Sequence, residues 1–293
     1  MRRASAILLA GMLAVAACGD DGSIFGSTTT AGEATTSAGA STTAAGPSTT
    51  AGPTTTAATT TTNTTAATTS TAPLVPVVTA QLDESTRDAP PGCTGIGVSV
   101  SLPIVSGLAP AVNTRLNDRI FEMVFNRQDR FLTDASYGCD PAMAGTPPSF
   151  LELGFEATTV RAGLLSLRFV GSDYYQGAAH PNAFVFTLNF NPVTGDLLSL
   201  EGILVPGGAA ALAALAEQHL IDDLYGGDAG MFHSWVPSVT LDMLVEWVVS
   251  AAGLEFSFGA YTVGPGVMGA PTIVVPFGEL AGIIDPAGPA ASA

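Results

Sequence analysis

Side chains able to do chemistry are sparse in this chain, and the densest set spans residues 173–182, Asp-Tyr-Tyr-Gln-Gly-Ala-Ala-His-Pro-Asn. Tyr174 and Tyr175 offer rigid contact area with a polar tip, His180 a titratable imidazole and Asn182 an amide that both donates and accepts. Gly177, Ala178 and Ala179 let the backbone turn tightly between them. Two readings stand open for this segment. Either His180 locks the start of a strand by hydrogen-bonding loop carbonyls, or Tyr174, Tyr175, His180 and Asn182 form a partner-binding site. A hydrolytic use would need His180 as base and a nearby carboxylate such as Asp173 to orient it. His219 falls on the inner side of a helical pattern and reads as a packed core residue. His233 lies in Met231-Phe232-His233-Ser234-Trp235, which reads as a loop with exposed aromatics. Asp222, Asp223 and Asp228 crowd around Gly226-Gly227 without calcium-loop spacing, so a solvated helix end is expected there and no metal site. The chain has no GxSxG, HExxH, phosphate-binding loop or dinucleotide fingerprint, and therefore no assigned catalytic residue and no expected cofactor.

The three cysteines divide by position. Arg2 and Arg3, the apolar run 6–14 and the small residues before Cys18 have the form of a secretory signal peptide. The apolar run is far short of the ~20 residues that span a bilayer. A cysteine at the cleavage point is the bacterial lipobox pattern, so residues 1–18 read as a lipoprotein signal peptide and Cys18 as the lipidated residue. Cys93 and Cys139 remain, an even pair in an oxidising compartment, and are expected to form a disulfide. Closing a loop of that length stabilises by roughly 3–4 kcal/mol in the chain-entropy view.

Residues 19–76 read as a disordered linker. Residues 27–71 are almost entirely Thr, Ala, Ser, Gly and Pro, and cannot bury enough surface to offset the entropy of ordering them. A flexible tether of this size has an end-to-end distance of about 40 Å. Its threonines suit O-glycosylation; Asn63-Thr64-Thr65 is a sequon of the kind so threonine-rich a tract produces by chance. Nine arginines, no lysine and 25 acidic residues give a net charge of −16. That excludes an electrostatic grip on nucleic acid or anionic lipid, and fits a cationic partner or a protein kept soluble by self-repulsion.

Residues 77–293 read as one domain. The run 96–102 alternates as a half-buried strand, and Val112, Leu116, Ile120 and Val124 then recur at helical spacing. Residues 151–155 and 165–169 alternate as two strands joined by a hairpin at 159–163. Phe184, Phe186, Leu188 and Phe190 line one face of the clearest strand. A turn at Gly195, strand-like residues 197–200, a helix over 209–225 and a second over 241–252 are expected next, with Gly253 as its stop. Strands at 254–258 and 272–275 and a short helix over 277–284 close the chain. The order predicts an α+β fold, a mainly antiparallel sheet with two to three helices packed on it.

The run from Tyr174 to Asn182, the strand after it, Thr194-Gly195, Leu197-Leu198-Ser199-Leu200 and the late Val274-Val275-Pro276-Phe277-Gly278-Glu279-Leu280 together resemble the RsiV-type C-terminal domain. Ser101-Leu102-Pro103-Ile104 and the helix bearing Asn113 and Asn117 resemble the partner region that often lies upstream of it. On that resemblance residues 93–160 would be the upstream part and 161–285 the C-terminal part. Ala178 departs from the pattern, which has a second glycine there. The family includes the lysozyme-sensing part of an anti-sigma factor, a non-catalytic region of a cell-wall polysaccharide deacetylase and many lipoproteins. The resemblance therefore implies a lipid-anchored, extracytoplasmic envelope module that binds a lysozyme-like muramidase or a wall glycan without catalysis. The alternative expectation is an envelope hydrolase, or an accessory to a polysaccharide-modifying enzyme, using His180.

Overall fold

A computed structural model of the chain describes residues 74–88, 95–138, 140–143 and 145–291, all within one compact unit, Ala67–Ala293. The expected signal peptide with Cys18, most of the expected linker, and both Cys93 and Cys139 lie outside the described residues. Five strands, β1 (Val77–Arg87), β2 (Ile96–Ser106), β3 (Phe150–Arg161), β4 (Leu164–Tyr174) and β5 (Asn182–Phe190), form a sheet in sequence order. Every neighbouring pair is antiparallel except β2–β3, which run parallel over residues 97–100 and 150–153. A parallel pair needs a crossover, and helix α1 (Pro110–Tyr137) supplies it. Its stripe Leu116, Ile120, Val124, Phe131 and Ala135 is buried against Val98, Val100, Leu151, Leu153, Leu165, Leu167, Phe169, Leu188 and Phe190. The α+β fold read from the sequence is therefore correct, with one parallel junction in an otherwise antiparallel sheet.

β2 runs past Pro103, where the sequence reading placed its end. Pro103 lies beyond the stretch paired with β3, where a missing donor breaks no ladder on that side. The free edge there is served by side chains of α1. The Asn117 amide donates to Val105 O and accepts from Val105 N, both at 2.8 Å, and Asn113 does the same for Leu108. Two asparagines thus stand in for a neighbouring strand and fix the helix against the sheet.

The second layer is a three-stranded antiparallel sheet, β6 (Trp247–Val249), β7 (Gly253–Ser257) and β8 (Thr272–Pro276), with helices α2 (Gly208–His219) and α3 (Ala229–Trp235). Here the sequence reading needs three corrections. Residues 241–252 are not a helix: after a short 3-10 turn they form β6, whose three residues are all buried. A brief apolar run fits either periodicity, and burial on both faces selects the strand. Residues 231–235 are not a loop but most of α3; Asp228 caps it by accepting from Met231 N, and Phe232 is fully buried. Residues 277–284 are successive turns rather than a helix, ending where Ile284 bridges Leu204. The expected helix over 209–225 is α2 followed by a π-type turn, Leu220–Leu224. β6 lies across the five-stranded sheet on the face opposite α1. Thr158 and Thr159 donate to Val249 O, Asn189 donates to Trp247 O, and Arg168 of β4 pairs with Glu255 of β7.

Candidate functional site

The segment 174–182 links β4 to β5, and local chemistry dictates its shape. Gly177 takes a positive φ of 86°, Ala178 N donates to Tyr175 O, and Gln176 reaches the preceding loop through Ser149 Oγ and Met143 O. Adjacent strand residues point to opposite faces, which separates the two tyrosines. Tyr174 is 8 % exposed and stacks on Phe150, ring centres 5.5 Å apart. Tyr175 packs on the other face against Phe131 of α1 at 5.4 Å. Burial raises the Tyr175 pKa, with Asp173 and Asp134 adding to the rise and Arg127 opposing it. Its hydroxyl is therefore a neutral donor at physiological pH.

Beside Tyr175 lies a charged group that the sequence reading did not assemble. Asp173, with 5 % of its side chain exposed, pairs with Arg127 of α1 and accepts from Asn182 Nδ2 at 3.2 Å. The Arg127 guanidinium sits 3.9 Å above the Phe184 ring. Arg127 lies off the apolar stripe of α1, and helical spacing alone does not show that its long side chain reaches back over its neighbours. Of the four candidate binding residues, His180 and Asn182 are exposed, Tyr175 is partly buried and Tyr174 is buried. The loop gathers Tyr175, Asn182 and Asp173 on the α1 side and sends Tyr174 to the other.

His180 Nδ1 lies 3.0 Å from Pro181 O, so the ring closes onto its own loop. Among the described residues no hydrogen bond joins it to Asp173, whose oxygens are occupied by Arg127 and Asn182. His219 is not a simple core residue: Nε2 contacts Glu279 at 3.1 Å and Nδ1 lies 3.6 Å from Asp223. His233 sits 3.8 Å from Glu217, which also accepts from Val239 N and so ties α2 to the segment after α3. Among the described residues no group of His, Asp and Glu is arranged to hold a metal ion, and no helix is long and apolar enough to cross a membrane.

The electrostatics of the described residues are lopsided. Arg115 is paired with Asp196, Arg119 with Glu122, Arg127 with Asp173, and Arg168 with both Glu156 and Glu255. Arg161 is spent on the carbonyls of Pro289 and Ala291. Four of the seven described arginines thus sit against carboxylates, Arg87 and Arg130 are exposed, and Glu84, Glu152, Glu201, Asp222, Asp223, Asp228 and Asp242 are exposed as well.

No family model matches this chain, and no curated protein does. Solved structures do. A member of the DUF3298 family from Bacteroides fragilis NCTC 9343 is similar with a TM-score of 0.58 at 13 % identity, covering 72 % of this chain and 94 % of that one. A DUF3298 family protein from Pseudomonas aeruginosa PAO1 is similar with a TM-score of 0.54 at 17 % identity, again over 72 % of this chain and 94 % of that one. What this chain shares with them is the fold, an α+β arrangement also found in domains of unknown function.

Proposed function

We propose that this chain is a lipid-anchored, extracytoplasmic module of the bacterial envelope that binds a cationic protein of the lysozyme-like muramidase kind and does not itself catalyse a reaction. One observation carries the reading: acidic residues far outnumber arginines, four of the described arginines are already paired with carboxylates, and many carboxylates remain exposed. Such a surface attracts a basic protein over a Debye length and speeds its arrival. The RsiV-type resemblance of residues 174–182 and 274–280 supports an envelope role, and the occupation of Asp173 by Arg127 and Asn182 supports binding rather than catalysis through His180. Cys18 is the lipidated residue in this reading and Cys93–Cys139 the disulfide. Tyr175, His180 and Asn182 rim the candidate binding loop.

The test is binding of the full chain in non-ionic detergent to lysozyme across a salt series, with cytochrome c as an equally basic control. Binding that favours lysozyme and survives about 0.5 M salt, where the Debye length is roughly 4–5 Å, is the expected result. Binding that matches the control or vanishes with salt refutes the reading, and capture of soluble peptidoglycan fragments instead would transfer the role to a wall glycan.

A further inference from the structure

α1 covers one face of the five-stranded sheet, but β6 to β8 cover only part of the other. Cover ends at Arg168, held by Glu156 and Glu255. Beyond it the face is bare, with Val170 52 % and Leu82 60 % exposed. β2 runs through this bare region and presents only Gly97, Ser99 and Ser101 outward. Longer side chains stand on both sides: Leu82, Glu84 and Thr86 on β1, Phe150 and Glu152 on β3. The strand register sets this relief, pairing Gly97 with Thr86 on one side and Phe150 on the other, and Ser99 with Glu84 and Glu152.

The result is a shallow trough of about 380 Å³ at its Gly97–Ser99 end. It continues past Ser101 into a second depression of about 490 Å³ edged by Leu82, Gly154, Val170 and Ser172. Glu84 and Glu152 face each other across β2, both exposed, and no arginine lines either depression. Phe150, backed by Tyr174, walls one end.

We propose that this trough is where the basic side chains of a cationic protein dock, a proposal that rests on the functional reading above and gives it a surface. A lysine or arginine stem lies along the small residues of β2, which let it approach the backbone closely. Its head sits between Glu84 and Glu152, and a guanidinium can also lie on the Phe150 ring. The facing carboxylates select against a second copy of this chain, because self-association would bring acidic walls together. They also favour a cation over a neutral glycan, since Tyr174 is too buried to serve as a stacking platform.

Two probes separate the proposal from the reading beneath it. Hexa-arginine and lysozyme are each titrated against the full chain, the double variant Glu84→Gln/Glu152→Gln, the filling variant Ser99→Tyr, and Glu201→Gln/Asp242→Asn as a charge-matched control elsewhere. Thermal melts verify that each variant is folded. Both trough variants are expected to weaken both probes about five- to tenfold while the control changes them less than about twofold. Equal losses in trough and control variants with hexa-arginine would overturn the trough as a cation site, whatever lysozyme does. Trough-selective loss with hexa-arginine but no lysozyme preference over cytochrome c would sustain the trough and overturn the muramidase assignment. Lysozyme binding untouched by the trough variants would place that partner elsewhere and overturn the docking proposal. Concentration-dependent dimerisation abolished by Ser99→Tyr, or competition by peptidoglycan fragments, would also overturn it, in favour of a second copy or a glycan.

Discussion

Replacing Arg127 by methionine should expose how much of the 174–182 loop depends on one ion pair. The substitution keeps most of the stem and removes the guanidinium. Asp173 is left with 5 % of its side chain exposed and only the Asn182 amide as a neutral partner. Breaking a buried pair by removing one member costs roughly 3–5 kcal/mol, because the remaining charge is stranded. Arg127 itself is 29 % exposed, so part of the Coulombic gain is screened by solvent, and the lower end, about 3 kcal/mol, is the better figure. The cation–π contact with Phe184 is part of that sum, at about 0.5–1 kcal/mol. Asp173→Asn should cost less, about 1–2 kcal/mol, since Arg127 can turn to water. The double variant should be more stable than the two losses added together, with a coupling of about 2 kcal/mol. Urea unfolding of the full chain at neutral pH, followed by tryptophan fluorescence, reads all four corners of the cycle, because Trp235 and Trp247 both lie within the folded unit. Additive losses, or a loss below about 1 kcal/mol for Arg127→Met, would refute the claim that Asp173 is a structural rather than a reacting carboxylate.

Two further perturbations probe the layers. Burial between the sheets raises the Glu246 pKa, while hydrogen bonding from Thr187 pulls it down; the raised value means the folded state holds its proton more tightly than the unfolded chain. The contribution is therefore whole below pH 4.5 and is lost as pH rises through the folded value, so Glu246→Gln should raise the melting temperature at pH 7 and flatten its dependence over that window; an unchanged melting temperature at pH 7 counts against the assignment. Asn117→Ala removes both bonds to Val105 and should cost about 2 kcal/mol in the same urea assay, with Asn117→Asp no better because it lacks the donor for Val105 O.

What the sequence made legible follows from how locally each element is determined. The Phe184, Phe186, Leu188 and Phe190 face of β5 and the Leu116, Ile120 and Val124 stripe of α1 were readable because burial on one side writes its period directly into the chain. β1 was not, since nine of its eleven residues are exposed and carry no apolar alternation; pairing with β2 makes it a strand. β6 was misread because a run buried on both sides loses its period. Gly253 looked like a helix stop, but a Cβ there would lie 2.1 Å from Val275 O, so the residue is small to let two strands close together. The candidate loop was found from its residue types, yet its partners Arg127, Phe131 and Phe150 stand 24 to 46 positions away and only the folded sheet brings them near. The trough left no trace in the sequence, because Gly97, Ser99 and Ser101 read as the ordinary polar half of an alternating strand.

The solvent-facing character of β1 bears on how the molecule breathes. This edge strand is held by one ladder to β2 and buries little apolar surface of its own, so it belongs to the least protected part of the fold. Its amides should exchange with deuterium through local fraying long before those of β4, which is flanked by strands on both sides and largely buried. Because Leu82, Glu84 and Thr86 ride on β1, each fraying event removes one bank of the trough while the two hydrophobic cores stay intact. A protein seated there would hold the edge shut, because it binds only the paired state of the strand.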